Sequence, residues 1–171
     1  MSRLGETLFG RTPTGRRGAV RASGPLPIQG VVAVDMPLST LWQAFVDVPG
    51  WPSWNRCICR ARVREGAPSL DATLVWAFNP IKPYLLYKLP ATAEIVEFEP
   101  QARVTWEVTA PGFHALHAYG FAATGADRCR FGSWEVADGP TYRGARRFWL
   151  AHFRFVCRES LAGAQRLSQR P

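Results

Sequence analysis

The chain has 171 residues, of which 47% are hydrophobic, and its formal net charge at pH 7 is +8. A chain of this length suits one domain that buries roughly 70% of its extended surface. Because it contains no run of roughly 20 apolar residues, a membrane-spanning helix is excluded and a soluble protein is expected.

The N-terminus carries much of the positive charge. Residues 1–26 are rich in Gly, Arg, Ser, Thr and Pro, and their five arginines face a single acid, Glu6. This stretch has no helical or strand periodicity and too little apolar surface to offset its ordering entropy, so we predict a flexible basic arm. Positive potential attracts nucleic acid, but the remaining charge is thinly spread, and no nucleic-acid partner is expected.

The chain has four cysteines, Cys57, Cys59, Cys129 and Cys157. No export signal with an apolar core precedes them, so we expect reduced thiols in a cytoplasmic protein. Cys57 and Cys59 share one face of a predicted strand, but zinc requires two further ligands at paired spacing, which the sequence lacks. We predict neither a metal site nor a cofactor.

The first predicted elements are a strand and a short helix. The segment IQGVVAVD, which begins at Ile28, is rich in β-branched residues and therefore predicts a strand that ends before Pro37. Ser39 is a favourable N-cap, and apolar residues then recur at helical spacing until Pro49, so we predict a helix that begins at Ser39. We expect residues 51–55, WPSWN, to form a helical turn or loop.

Six further strands are predicted at hairpin-like intervals, over residues 57–64, 71–78, 91–99, 103–109, 113–123 and 128–137. In the first of these, Arg60, Arg62 and Arg64 alternate with less polar residues, so one face is exposed and the other is packed. Together with the strand at Ile28, the pattern predicts a half-exposed antiparallel sheet.

The last segment, from Thr141 to Ser168, contains no proline and is long enough for about seven helical turns. At a rotation of about 100° per residue, the polar residues of this helix cluster in one sector, which we predict faces solvent. The opposite sector is predicted to be buried. The solvent sector holds Arg143, Arg147, Arg154, Arg158 and Gln165. The buried sector holds Ala145, Trp149, His152, Val156, Gly163 and Leu167. We expect this helix to pack on the sheet.

This order of elements, with VDVPGWPSWN at residues 46–55, resembles the SRPBCC superfamily, which includes polyketide cyclase/dehydrase-like proteins and lipid-transfer START domains. The resemblance covers about residues 28–168. It rests on Asp47, Trp51, Trp54 and Asn55, and further on Trp106, His117, Glu135 and Gly139. It implies an α+β helix-grip fold, in which a seven-stranded curved antiparallel sheet wraps around a long C-terminal helix and two short helices follow the first strand. It also implies a hydrophobic cavity inside a ligand-binding domain at 27–168.

Strand and helix geometry select the residues that would line this cavity. Alternate residues of the strand at 113–123 share one face, and its aromatic face is expected to point inward. The same parity rule applies to the strands at 71–78 and 103–109, and the helix contributes its buried side. The predicted ligand-binding residues are Trp76, Phe78, Trp106, Phe113, His117, Tyr119, Phe121, Trp149 and His152.

His117 and His152 are the polar candidates for chemistry. A buried imidazole without a partner costs about 1 to 3 kcal/mol, so each should meet a neighbour, water or a ligand. Three interpretations stay open: a purely structural hydrogen bond to a neighbour such as Tyr119 or Glu159, orientation of a ligand, or acid/base catalysis. In the catalytic case His117 is the acid or base, and Tyr119 or His152 polarises the substrate oxygen.

The leading functional hypothesis is binding of an apolar small molecule, lipid-like or polyketide-like, in the internal cavity. The alternative is a polyketide cyclase or dehydratase with His117 as general acid/base. A third hypothesis, a docking module for nucleic acid or another partner, rests on the basic arm and the arginines at 60–64. No nucleophile elbow, phosphate loop or metal signature is present.

Residues 79–90, NPIKPYLLYKLP, form a longer and more apolar connection than the common pattern has. Three roles stay open for this insert: a lid over the cavity, a patch that touches a membrane transiently, and an irregular edge strand over the cavity mouth.

Overall fold

The computed structural model describes residues 8–9, 13–16, 27–80 and 88–169. Within these residues, one antiparallel sheet has the strand order β1-β7-β6-β5-β4-β3-β2. Its strands are β1 (Ile28–Val34), β2 (Ile58–Val63), β3 (Thr73–Phe78), β4 (Leu89–Glu99), β5 (Arg103–Ala110), β6 (Phe113–Gly125) and β7 (Arg128–Asp138). Every strand pairs with its chain neighbour except β1, which lies at the opposite edge from β2.

Four α-helices complete the described fold: α1 (Leu38–Val46), α2 (Trp51–Trp54), α3 (Pro140–Gly144) and α4 (Arg146–Leu167). A single 3-10 turn at Val48–Gly50 joins α1 to α2, and these elements connect the two edge strands. Helix α4 packs on β1 and β7. The predicted helix-grip fold, with its seven-stranded curved antiparallel sheet, two short helices after the first strand and long C-terminal helix, is confirmed.

Two local predictions about helix ends are wrong. Helix α1 begins at Leu38 after Pro37, with no side-chain cap, and not at Ser39. The fixed φ of proline suits a helix start, and the Pro37 carbonyl accepts hydrogen bonds from the amides of Thr40 and Leu41. The C-terminal helix is interrupted at Ala145, directly after Gly144, a residue type of low helix propensity. Ala145 is therefore exposed and not buried as predicted.

The predicted solvent side of the long helix is confirmed, since all five of its residues are exposed: Arg143, Arg147, Arg154, Arg158 and Gln165. On the other side, His152, Val156 and Gly163 are buried. Gly30 of β1 allows a close approach, because a Cβ there would lie 2.5 Å from Cδ1 of Leu161. The exposed arginines therefore lie on the side of α4 opposite to the one that packs on the sheet.

Strand pairing divides the sheet into two faces, which we call the concave face and the outer face. On β6 the concave face carries the odd-numbered residues and the outer face carries the even-numbered ones. His117 of β6 pairs with Trp106 of β5 and with Glu135 of β7. Because paired residues of an antiparallel sheet point to the same side, these three side chains lie next to each other on the concave face.

The outer face is covered in part by residues that precede β1. Leu8 and Phe9 are buried there against Leu116, Ala118 and Trp134. The flexible arm was predicted for residues 1–26, most of which lie outside the described residues. Its described pieces, 8–9 and 13–16, contact the sheet, which composition alone did not predict.

Residues 81–87 of the predicted insert at 79–90 lie outside the described residues, so the structure does not bear on their roles as lid, membrane patch or edge strand. Leu89 and Pro90 belong to β4, which begins two residues before the predicted residue 91. Among the described residues, no helix combines the length and apolarity needed to cross a bilayer.

Candidate functional site

A cavity of about 340 Å³ lies between the concave face and α4. Eight of the nine predicted ligand-binding residues line it: Trp76, Phe78, Trp106, Phe113, His117, Tyr119, Trp149 and His152. Phe121 does not line it. Its parity is right, but it lies two residues beyond Tyr119 and packs under α1, with its ring 4.9 Å from that of Phe45 and 5.3 Å from that of Trp42.

Sequence reasoning missed several lining residues. Trp51, Trp54 and Asn55 line the cavity from α2 and its C-terminal end, and Glu135 lines it from β7. The first three stand in the WPSWN segment, where the motif itself was the available signal. Glu135 was noted only as a family-like feature, because its position opposite His117 depends on a strand register that no local pattern gives.

Exposed lining residues show where the cavity opens. Thr109, Ala110 and Pro111, at the turn between β5 and β6, line the cavity and are exposed. Thr141 of α3 is tied to this turn, since its amide donates to the Gly112 carbonyl at 2.9 Å and its hydroxyl donates to the Pro111 carbonyl at 3.1 Å. The mouth is therefore framed by the β5–β6 turn and the start of α3.

His117 lies at the buried end of the cavity. Its Nε2 is 2.9 Å from Oγ of Ser133, its Nδ1 is 3.6 Å from Oε1 of Glu135, and its ring stacks on Tyr119 at 4.3 Å. Burial and, to a smaller extent, the nearby His152 lower the pKa of His117 to about 3. Burial also raises the pKa of the Glu135 carboxyl well above its ordinary value. Burial therefore disfavours the charged form of both groups.

A second buried network joins the sheet to α4. The Tyr119 hydroxyl lies 2.9 Å from Oγ of Ser160, and Nδ2 of Asn55 donates to the same oxygen at 3.1 Å. Oδ1 of Asn55 accepts from the backbone amide of Cys57 at 3.2 Å. Burial raises the pKa of Tyr119 well above its ordinary value, so it remains a neutral phenol. Asn55 thus ties the end of α2 to α4, and Ser160 links both to Tyr119 of β6.

His152 enters the cavity from α4. Its ring packs edge-on against Phe78, with the centroids 4.6 Å apart, and burial lowers its pKa to about 4. Three buried polar atoms of the described residues that line the cavity have no hydrogen-bond partner: Nδ1 of His152, Oε2 of Glu135 and Nε1 of Trp54. Neither Tyr119 nor Glu159 forms a hydrogen bond with His152. The purely structural interpretation, in which such a neighbour satisfies the imidazole, is therefore not supported for His152.

A curved antiparallel sheet that grips a long C-terminal helix, with an aromatic cavity between them, defines the helix-grip fold of SRPBCC/START-like proteins. Sequence comparison finds no matching family model and no matching curated protein.

Solved structures share this fold. The ZhuI aromatase/cyclase from Streptomyces sp. R1128 is 14% identical, with a TM-score of 0.68 over 84% of this chain and 93% of that one. The di-domain aromatase/cyclase BexL is 14% identical, with a TM-score of 0.65 over 85% of this chain and 48% of that one. A START superfamily protein from Mycobacterium smegmatis is 13% identical, with a TM-score of 0.60 over 83% and 99%. At these identities the similarity establishes the fold.

Proposed function

We propose that the protein binds an apolar small molecule, lipid-like or polyketide-like, in the cavity between the concave face and α4. The observation that carries this proposal is the unfilled space of about 340 Å³ with largely aromatic walls. Protein interiors are normally close-packed, with few voids larger than a water molecule. Trp76, Trp106 and Trp149 surround the space without filling it.

The volume agrees with the size of ligand that binding requires. At about 30 Å³ for each water-sized group, the cavity holds on the order of ten non-hydrogen atoms. Each buried methylene contributes about 0.8 kcal/mol, and micromolar affinity needs about 8 kcal/mol, so about ten to fifteen carbons suffice after the costs of association. A small hydrophobic molecule satisfies both estimates.

A cavity-filling substitution tests the proposal. Ala115 lines the cavity from β6, whereas Ala123 is exposed on the same strand. Native mass spectrometry of protein purified from its own host should show a bound small molecule on the wild type and on the Ala123→Phe control. Ala115→Phe should lose it and keep a cooperative unfolding transition. Equal occupancy in Ala115→Phe would contradict binding at this site.

A second candidate function is a polyketide cyclase or dehydratase with His117 as general acid/base and Tyr119 or His152 polarising the substrate oxygen. It is supported by the His117–Glu135 pair facing the cavity and by the aromatase/cyclase neighbours. Against it, an imidazole with a pKa of about 3 is a weak base at neutral pH. His117→Phe separates the two functions, because it should abolish turnover in an enzyme and preserve affinity in a carrier.

Three finer expectations remain proposals on the same footing. The first is a cytoplasmic location, which is consistent with the four free cysteines. The second is transient membrane contact through residues 79–90, which sedimentation with anionic and neutral vesicles would test. The third is the division into a basic arm at 1–26 and a ligand-binding domain at 27–168.

A further inference from the structure

The buried end of the cavity is lined by polar groups whose charged forms burial disfavours. We call His117, Tyr119, Glu135 and His152 the polar floor; all four line the cavity and each is at most 8% exposed. Burial disfavours the charged form of each group, since it lowers the pKa of both imidazoles and raises the pKa of the carboxyl and of the phenol. Among the described residues that line the cavity there is no Lys or Arg.

The described groups packed behind the floor provide no cation that could pair with an anionic ligand. Burial raises the pKa of the Cys57 thiol and raises that of Cys157 to about 11, so both are neutral. Glu159 of α4 faces Arg158 at 3.3 Å and Arg166 at 3.6 Å, so its charge is already matched outside the cavity. Among the residues that the structure describes, an anion at the floor would find no counter-ion.

Two floor atoms nevertheless lack partners. Nδ1 of His152 and Oε2 of Glu135 are buried without a hydrogen bond, although buried polar atoms in native proteins are nearly always satisfied. A ligand carbonyl can accept from an imidazole N–H or from a protonated carboxyl, and a ligand hydroxyl can both donate and accept. Either group would satisfy the floor without bringing charge into it.

We infer that the cavity selects uncharged ligands whose buried end carries a carbonyl or hydroxyl group, and that it rejects organic carboxylates. The inference rests on the proposed binding function and specifies its ligand class. Its physical basis is that an ion loses its hydration in an apolar cavity and is tolerated only beside an opposite charge. A neutral polar group loses far less and gains hydrogen bonds.

Three probes on one ring system test the inference: naphthalene, and the equally sized 2-acetylnaphthalene and 2-naphthoate, measured by equilibrium dialysis with the full chain from pH 5 to pH 8. We expect the ketone to bind about five- to tenfold more tightly than naphthalene, as one net hydrogen bond allows. Its affinity should stay within about twofold across this range. Naphthoate should weaken by about tenfold for each pH unit, because only its shrinking protonated fraction enters.

His152→Phe provides the matched variant, with naphthalene as its internal control. The substitution should lower the ratio of ketone affinity to naphthalene affinity measured in the same protein, so that a general change of the cavity wall cancels. Naphthoate that binds as tightly as the ketone at pH 8, or a ketone no tighter than naphthalene in the wild type, would overturn the inference and leave the proposed function standing. Failure of all three probes to bind would overturn the proposed function, and this inference with it.

Discussion

The strands β6 and β7 present an outer face covered by residues that precede β1 and a concave face that is packed at one end and open at the other. On the outer face, Gly120 and Gly132 pair with each other and form a depression that receives Leu8 and Phe9. A Cβ at Gly120 would lie 2.7 Å from Cδ2 of Leu8, and one at Gly132 would lie 3.1 Å from the Phe9 ring. At the open end of the concave face, the described residues leave about 340 Å³ unfilled.

Polar groups differ in the same way between the two faces. On the outer face, Arg103 donates to the Phe9 carbonyl at 2.8 Å, and the amide of Arg16 donates to Glu107 at 3.1 Å. On the concave side, Oε2 of Glu135 and Nδ1 of His152 lack a hydrogen-bond partner in residues that line the cavity. Nε and Nη1 of Arg103 also lack one on the outer face, but there the segment of Phe9 covers the side chain. One backbone can therefore carry a face optimised for packing and a face that keeps space and hydrogen-bonding capacity for a ligand.

The largest loss in the free energy of unfolding should come from removing the ring of Phe9 from the outer face. Phe9→Ala removes a ring that is 6% exposed, and buried Phe→Ala substitutions cost about 3 to 5 kcal/mol. Urea unfolding should show a loss near the lower end of that range. Trp149→Ala, which trims a partly buried wall of the cavity, should cost less. A loss below about 1 kcal/mol for Phe9→Ala would mean that the outer face does not depend on this ring.

The next largest change in the free energy of unfolding is expected when methyl groups are added to each face. Gly120→Ala should destabilise by about 1 to 3 kcal/mol, because Leu8 must move. Ala115→Val adds methyl groups toward the cavity and should change the free energy of unfolding by less than about 1 kcal/mol. Equal losses in the two variants, measured by urea unfolding, would show that the faces are equally packed.

An acid titration isolates a buried imidazole of the concave face. The pKa of His152 is about 4 in the folded protein against 6.5 for an unperturbed imidazole, so between these values the unfolded state binds more protons and stability falls as pH falls. His152→Phe should remove up to about 1.4 kcal/mol of this loss for each pH unit. Glu135 has the opposite sign but is present in both proteins. Parallel stability curves from pH 7 to pH 4 would contradict this assignment.

The smallest effect is expected at the exposed edge of the outer face. Arg16 forms ion pairs with Asp71 and with Glu94, the latter at 2.8 Å, and all three side chains are at least 42% exposed. Exposed ion pairs contribute about 0 to 1 kcal/mol and are screened by salt. Arg16→Ala should therefore cost about 0.5 kcal/mol at low salt and less at 0.5 M NaCl. A salt-independent loss above about 2 kcal/mol would assign Arg16 a packing role instead.

Sequence periodicity was sufficient wherever the geometry is local. Alternation along β6 placed His117 and Tyr119 on one face, and the 100° rotation per residue placed His152 on the buried side of α4. Both placements depend only on the backbone repeat of one element, and for that reason eight of nine predicted lining residues reach the cavity wall.

Only the tertiary structure decided what depends on the pairing and packing of distant segments. Strand register set Glu135 opposite His117, the position of α1 moved Phe121 out of the cavity, and the glycine depression received Leu8 and Phe9. The open volume itself has no local signal, because a cavity is the space left after every element has packed. The sequence alone thus determined the fold and the inward-facing residues. The three-dimensional arrangement determined which of those residues enclose a space, and which polar atoms at its buried end lack a hydrogen-bond partner.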